Sequence, residues 1–330
     1  MATDTQLSPA RPAERVLGWD AWQAREAAHI QRVESLTAAH QERRKQGERH
    51  PVWDFLFSYY PVTPGKLKKW HPGLGTALEI RPDDSMEGLP QVKDFYHRIG
   101  DTWRLDPAAF LARRGETARF IRRLLAATAA RPPVLSCFGL HEWAMVYRDA
   151  PRHPEPLRLG AAGTNEVVES HELKCTHFDA FRFFTSSSAP MNANQLTREG
   201  QELFEQPGCL HAGMDLYKWA TKLGPVVPGE LWVDCFELAR DFRQLDMEAS
   251  PYDLREWGFD PVRIETAEGK AEYVRRQREL TSRAQELRTQ LLELLDLLLS
   301  QEDHPPAGKA RRAGHVIQGR GAPGCTKLKV

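Results

Sequence analysis

The sequence contains no Cys-x-x-Cys pair, and its five cysteines are scattered and odd in number. A disulfide framework is therefore not expected. No apolar stretch approaches the length of a membrane span. The N-terminal MATDTQLSPARPAERVLGWD lacks the apolar segment of a secretory signal. These absences set a reduced, soluble, cytoplasmic protein as the expectation. There is no charge of one sign either, since 45 Lys and Arg face 45 Asp and Glu. The bulk basic excess common in nucleic-acid binders is missing, which leaves room only for a local patch. Several catalytic templates are also absent: a Gly-x-Gly-x-x-Gly after a strand, a Walker-type loop, Gly-x-Ser-x-Gly, His-Glu-x-x-His, and the zinc deaminase signature.

What is present is a 330-residue chain, 41% hydrophobic, with ample material for a core. The expected class is mainly α with a minor strand component, a compact helical domain carrying a long C-terminal helix. Residues 1–17 are polar and read as disordered, 18–302 as one domain, and 303–330 as a disordered basic tail with six Lys or Arg against Asp303. Helices are expected from Asp20 to about Arg49, ended by Pro51, over 107–130, from about His211, from an opening at Pro228-Gly229-Glu230 to about Glu248, and from Thr266 to Gln301. Strands are expected at 75–80 and 157–168, with a turn at Gly163-Thr164-Asn165. The aromatic, proline-broken HPVWDFLFSYYPVTPGKLKKWHPG packs the core or, through Trp53, Tyr59, Tyr60 and Trp70, walls a pocket. In the last helix Leu280, Ala284, Leu287, Leu291, Leu294 and Leu298 are spaced 4, 3, 4, 3, 4. That seam suits packing onto the protein's own helices or a homodimer.

Most of the plausible chemistry lies between Cys137 and Lys222. His141, His153, His171, His177 and His211 fall there, with Cys137, Cys175 and Cys209 and many aromatics between them. Titratable groups mixed with bulky apolar ones are costly to bury unless paired, bound to metal or used. In QPGCLHAGMDLYKWATK a helix would align His211, Asp215, Lys218 and Lys222 on one face, as a site wall or a solvated edge. In ESHELKCTHFDAFRFF a strand would put Glu169, His171, Cys175, His177 and Asp179 on one face, whereas a helix would pair His171 with Cys175. Either geometry gathers two or three metal-ligating groups.

The blocks HPVWDFLFSYY, CFGLHEWAMVYR, LRLGAAGTNEVVESH, CTHFDAFRFFT, QPGCLHAGMDLYKWA, ASPYDLREWG and PVRIETAEGKAEYV resemble an actinobacterial family labelled 3-methyladenine DNA glycosylase. The resemblance covers roughly residues 20–300. It implies a DNA-repair hydrolase, a glycosidase that needs no cofactor and removes alkylated purines from damaged DNA. Such an enzyme needs aromatic stacking for the flipped base and a carboxylate beside the sugar. Under that reading Asp215, Glu169, Asp179 and His211 are the catalytic candidates, and Trp143, Phe181, Tyr217 and Trp219 the stackers. Lys218, Lys222 and Arg182 would meet phosphate.

The alternative expectation is a metal-dependent enzyme acting on a small molecule. His141, His171, His177 and His211 would be its ligands, with Glu169, Asp179 or Asp215. Histidine with carboxylate suits non-haem iron or zinc. A helical scaffold dimerising through Leu280, Leu287, Leu291, Leu294 and Leu298 is the third reading.

Overall fold

A computed structural model describes residues 14–81 and 95–302. Among them eleven α-helices dominate and a single four-stranded sheet is the minor strand component, so the mainly α class expected from the sequence is the one found. The expected disorder at 1–13 and the expected basic tail at 303–330 lie outside the described residues. Residues 14–17 depart from expectation, because β1 (Arg15–Leu17) pairs in parallel with β2 (Thr76–Glu79). The buried Leu17 anchors it, and the Arg15 amide donates to the Gly75 carbonyl at 3.0 Å. A hairpin of β3 (Tyr96–Ile99) and β4 (Thr102–Leu105) completes the order β1-β2-β4-β3, with β4 antiparallel to both neighbours.

Helix α1 (Trp19–Lys45) ends before Pro51, where the sequence placed its stop. Gly47 takes a left-handed φ of 73°, the Glu48 amide donates to Arg43 O at 2.9 Å, and the Gly47 amide to Arg44 O at 3.2 Å. That glycine cap satisfies the last carbonyls earlier than the proline would force. Two single-turn helices, α2 (Phe55–Ser58) and α3 (Pro64–Leu67), follow. Helix α4 (Pro107–Ala129) starts as its sequence demands: Asp106 caps the Ala109 amide at 3.0 Å and Pro107 occupies the first helical position.

The middle of the chain is mostly short elements: α5 (Leu140–Ala144), α6 (Gly160–Glu169), α7 (Phe178–Phe181) and α8 (Gln201–Phe204). The strand and turn expected across 157–168 are instead α6, apart from an isolated bridge of Leu157 to Tyr252. Its buried residues Thr164, Val167 and Val168 are spaced as one helical face, although their β-branched side chains favour strands in isolation. The stretch 169–183 is neither the strand nor the long helix considered. It is a loop with a bridge from Leu173 to Asn192, followed by the single turn α7.

Three long helices form the centre. Helix α9 (Leu210–Leu223) packs along α10 (Gly229–Glu248), and α11 (Ala267–Leu299) lies against α4, α9 and α10. Gly213 sets the spacing of the first pair: a Cβ there would fall 2.2 Å from the Phe242 ring. Thr266 caps α11 by accepting from the Gly269 amide. The heptad-like seam faces the protein's own core, with Leu280, Ala284, Leu291 and Leu298 buried and Leu287 and Leu294 packed at its margin. Each buried leucine contributes roughly 1.5–3 kcal/mol, so the seam is used within the chain, and its apolar period requires no second copy. No helix among the described residues is long and apolar enough to cross a membrane.

Candidate functional site

The 3.6-residue period of α9 delivers His211, Asp215 and Lys218 to one interior line, and exposed Lys222 continues it to the surface. Around that line four other segments supply charge: α5 gives His141 and Glu142, α10 gives Arg243 and Asp246, α7 and the residue before it give Asp179 and His177, and Glu205 follows α8. Tyr60, just after α2, closes one side.

The half nearer the surface is a dense ion-pair network. Lys218 Nζ donates to Asp215 Oδ2 at 2.8 Å and to Asp179 Oδ2 at 2.9 Å. Asp179 also faces Arg182 at 3.2 Å and Arg198 at 3.5 Å. Tyr60 OH donates to Asp215 Oδ1 at 3.3 Å. His177 Nε2 stands 3.3 Å from Asp215 and 3.5 Å from Glu205. Burial would push the Asp215 carboxyl up, but Lys218 and His177 overcome it and hold the group well below the usual carboxylate range. Burial would lower the Lys218 ammonium, and its two carboxylates instead raise it. For His177 burial opposes the charge, and Glu205 and Asp215 raise it above its ordinary value. Glu205 itself is pushed up by burial.

The inner half is built differently. His141 Nε2 and Asp246 Oδ1 are 2.8 Å apart and both buried. Neither atom has a hydrogen-bond partner, because the direction between them is unsuited to an N–H···O bond. The His211 ring lies 4.6 Å from that of His141 and 5.4 Å from that of His177. One ligating atom from each of His141, His211 and Asp246 falls within 4.8 Å of the others. The second oxygen of Asp246 accepts from Arg243 Nη1 at 3.2 Å, which also donates to Glu142 at 3.3 Å. On the far side of His141, Nδ1 is 3.7 Å from the Cys137 sulfur. Burial tends to lower His141, but the Asp246 carboxylate holds it well above its ordinary value. Burial and the neighbouring His141 charge push His211 down to about 3, so it offers a free lone pair at neutral pH. His141 and His211 also line an enclosed cavity of about 10 Å³ with Cys137, Cys175, Cys209 and Tyr273, room for about one water.

Of the residues singled out from sequence, His141, His177, His211, Asp179, Asp215 and Lys218 come together here. Glu169 and His171 do not. Glu169 is exposed and bonds Tyr147 at 2.8 Å and Arg148 at 2.7 Å. His171 turns back on the last turn of α6, with Nδ1 2.7 Å from Val167 O. The strand parity that would have joined them to His177 never forms, because α6 ends between them. The proposed stackers also divide. Trp143 and Tyr217 are core side chains with no exposed surface, Trp143 donating to Ala249 O at 2.8 Å. Trp219 carries Lys218 Nζ 4.6 Å above its ring, and Phe181 is half-buried. Arg182 and Lys222 are exposed at the rim.

Asp246, Glu205, Glu142 and Arg243 were not anticipated, whereas Tyr60 is one of the aromatics expected to wall a pocket. The signal for Asp246 was available: it falls four residues after Phe242, on the apolar stripe of α10, where an acid needs a partner. No protein-family model, curated protein or solved structure matches the chain.

Proposed function

We propose that this protein is a metal-dependent enzyme acting on a small molecule, with His141, His211 and Asp246 as the ligands of iron(II) or zinc(II). The observation that carries the reading is the pair His141 Nε2 and Asp246 Oδ1, buried, 2.8 Å apart and without a hydrogen bond. A histidine nitrogen and a carboxylate oxygen brought this close share either an awkwardly placed proton or a cation that both can face. A divalent cation takes the place of that proton, and His211 adds a third donor. Two histidines and a carboxylate suit iron(II) or zinc(II), and three protein ligands leave a coordination position open. Arg243 holds the other Asp246 oxygen, and the Cys137 sulfur sits against the far nitrogen of His141, so the surroundings fix how the ligands point. The neighbouring His177, Asp215 and Lys218 line the space beside the centre, with the His177 ring and the Lys218 ammonium both raised above their ordinary values by the carboxylates.

The test is metal content. Untagged protein purified without chelator should carry close to one iron or zinc per chain by mass spectrometry. His211→Ala should lose it while keeping its helical circular dichroism. Added zinc should raise the stability of metal-free protein by about 2.7 kcal/mol at a hundredfold excess over Kd, and should not do so in His211→Ala. Absence of both bound metal and zinc stabilisation rejects the reading.

One feature favours the glycosylase reading implied by the resemblance. An open cleft of about 460 Å³ is lined by Arg198, Lys218, Lys222, Trp219 and Phe120, with the ionised Asp179 and Asp215 behind it. Cations, an aromatic face and a carboxylate are what alkylated DNA would require. Release of 3-methyladenine from methylated DNA, lost in Asp215→Asn, would decide for it.

A further inference from the structure

Away from the charged centre, the C-terminal half of α1 and the C-terminal half of α10 leave a groove of about 290 Å³ between them. The 3.6-residue period places His40 and Arg43 of α1 opposite Phe236 and Arg240 of α10, and Trp53 and Phe57 close one end. The His40 ring lies flat on Phe57, with centroids 4.0 Å apart and planes 18° apart, which covers one face of Phe57 and fixes the His40 ring in the wall. His40 is oriented from behind: its Nδ1 meets Asp54 Oδ1 at 2.8 Å, and the other Asp54 oxygen accepts the His50 amide at 2.9 Å. The Asp54 carboxylate can only accept, so Nδ1 carries a proton, and in the neutral ring Nε2 is the nitrogen left with a lone pair. Nε2 is buried without a partner, in a residue only 8% exposed. Arg43 Nε is likewise buried and unpartnered, and Arg43 forms no ion pair among the described residues. Arg240 shares Asp241, at 3.2 Å, with Arg283. The groove is thus lined by the unpartnered His40 Nε2, by the Gln244 amide, by the cations Arg43 and Arg240 and by aromatic walls.

We propose that this groove is a binding site for a small planar aromatic acid that bears one O–H or N–H donor. Its carboxylate meets Arg43, its ring lies against Phe57 and Trp53, and its donor satisfies His40 Nε2. Leaving a buried acceptor and a buried guanidinium nitrogen unsatisfied costs free energy that such a ligand recovers. The cavity is near the lower end of the range for small-molecule sites, the scale of a single-ring acid.

The probe is 4-hydroxybenzoate, titrated into the full chain by calorimetry, with 4-hydroxybenzamide and benzoate as comparisons. The expected result is saturable binding of one 4-hydroxybenzoate per chain, at least about tenfold tighter than either analogue. Arg43→Gln should weaken it by about the same factor, a loss of one charge-assisted contact. Ala39→Trp, which fills the groove from an exposed position and removes no contact of the core, should abolish it. No saturable heat at millimolar ligand overturns the proposal. So does amide binding as tight as the acid's, or acid binding unchanged in both variants.

Discussion

The two halves of the charged centre are made from the same residue types, yet they are finished differently. Around Lys218 the carboxylates of Asp179 and Asp215 each accept a proton-bearing partner at 3.2 Å or less. Around His141 and Asp246 the atoms are as close, but the geometry leaves them unbonded. The match is complete at Lys218, whereas the His177 ring nitrogens beside it have no hydrogen-bond partner among the described residues, so buried charge is answered at the lysine rather than across the whole half. The histidine nitrogen and carboxylate that converge without a hydrogen bond are where the proposed cation would sit. The distinction rests on direction rather than distance, and it can be broken experimentally from either side.

The largest effect is expected on the satisfied side. Lys218→Met should remove the ammonium that Asp215 and Asp179 share, leaving Tyr60 and His177 to one and Arg182 and Arg198 to the other, and cost about 3–5 kcal/mol of stability, read as a lower urea midpoint at unchanged slope. If the loss is under 1 kcal/mol, roughly the worth of a surface pair, the two halves do not differ as argued. A smaller effect should come from a buried histidine outside both halves. His71 is pushed down to about 4, first by burial and then by His29 and Lys69. Its folded form therefore stays neutral while the unfolded chain, near 6.5, takes up a proton. Stability from this group is complete above that value and is lost as pH falls toward 4. His71→Gln should lose roughly 2 kcal/mol less than wild type across that window, measured by urea titration at both ends. An identical pH dependence in the two proteins would remove His71 from the account. The smallest effect belongs to Tyr60→Phe, which removes one hydrogen bond to Asp215 and should cost about 1 kcal/mol with metal content unchanged. A fall in bound metal would show that the halves are coupled.

How much of this was legible depended on whether a periodic element carried it. The line His211, Asp215, Lys218 was readable because α9 is a regular helix interrupted by nothing. Asp246 was hidden for the opposite reason: α10 is amphipathic and carries six acids, so one beside Phe242 and Leu245 passes for another surface residue. The segment 169–183 had no period to read, since its course is fixed by tertiary contacts such as Asn192 Oδ1 accepting from the Cys175 amide at 2.8 Å. That is why His177 reached the site and His171 did not. The α6 region failed through propensity, where β-branched residues that favour strands were recruited to a helix by the core they face.

The contact of Gly213 with Phe242 gives the centre a calliper. His211 and Asp246 belong to two helices whose separation is fixed at that point by a hydrogen atom where any other residue would carry a methyl group or more. The site's donor-to-donor gap is therefore encoded by a residue that binds nothing, two positions from one candidate ligand and facing a ring four positions from the other. A bulkier side chain at 213 would widen the gap with all three donors intact, turning ion size preference into a property of helix spacing.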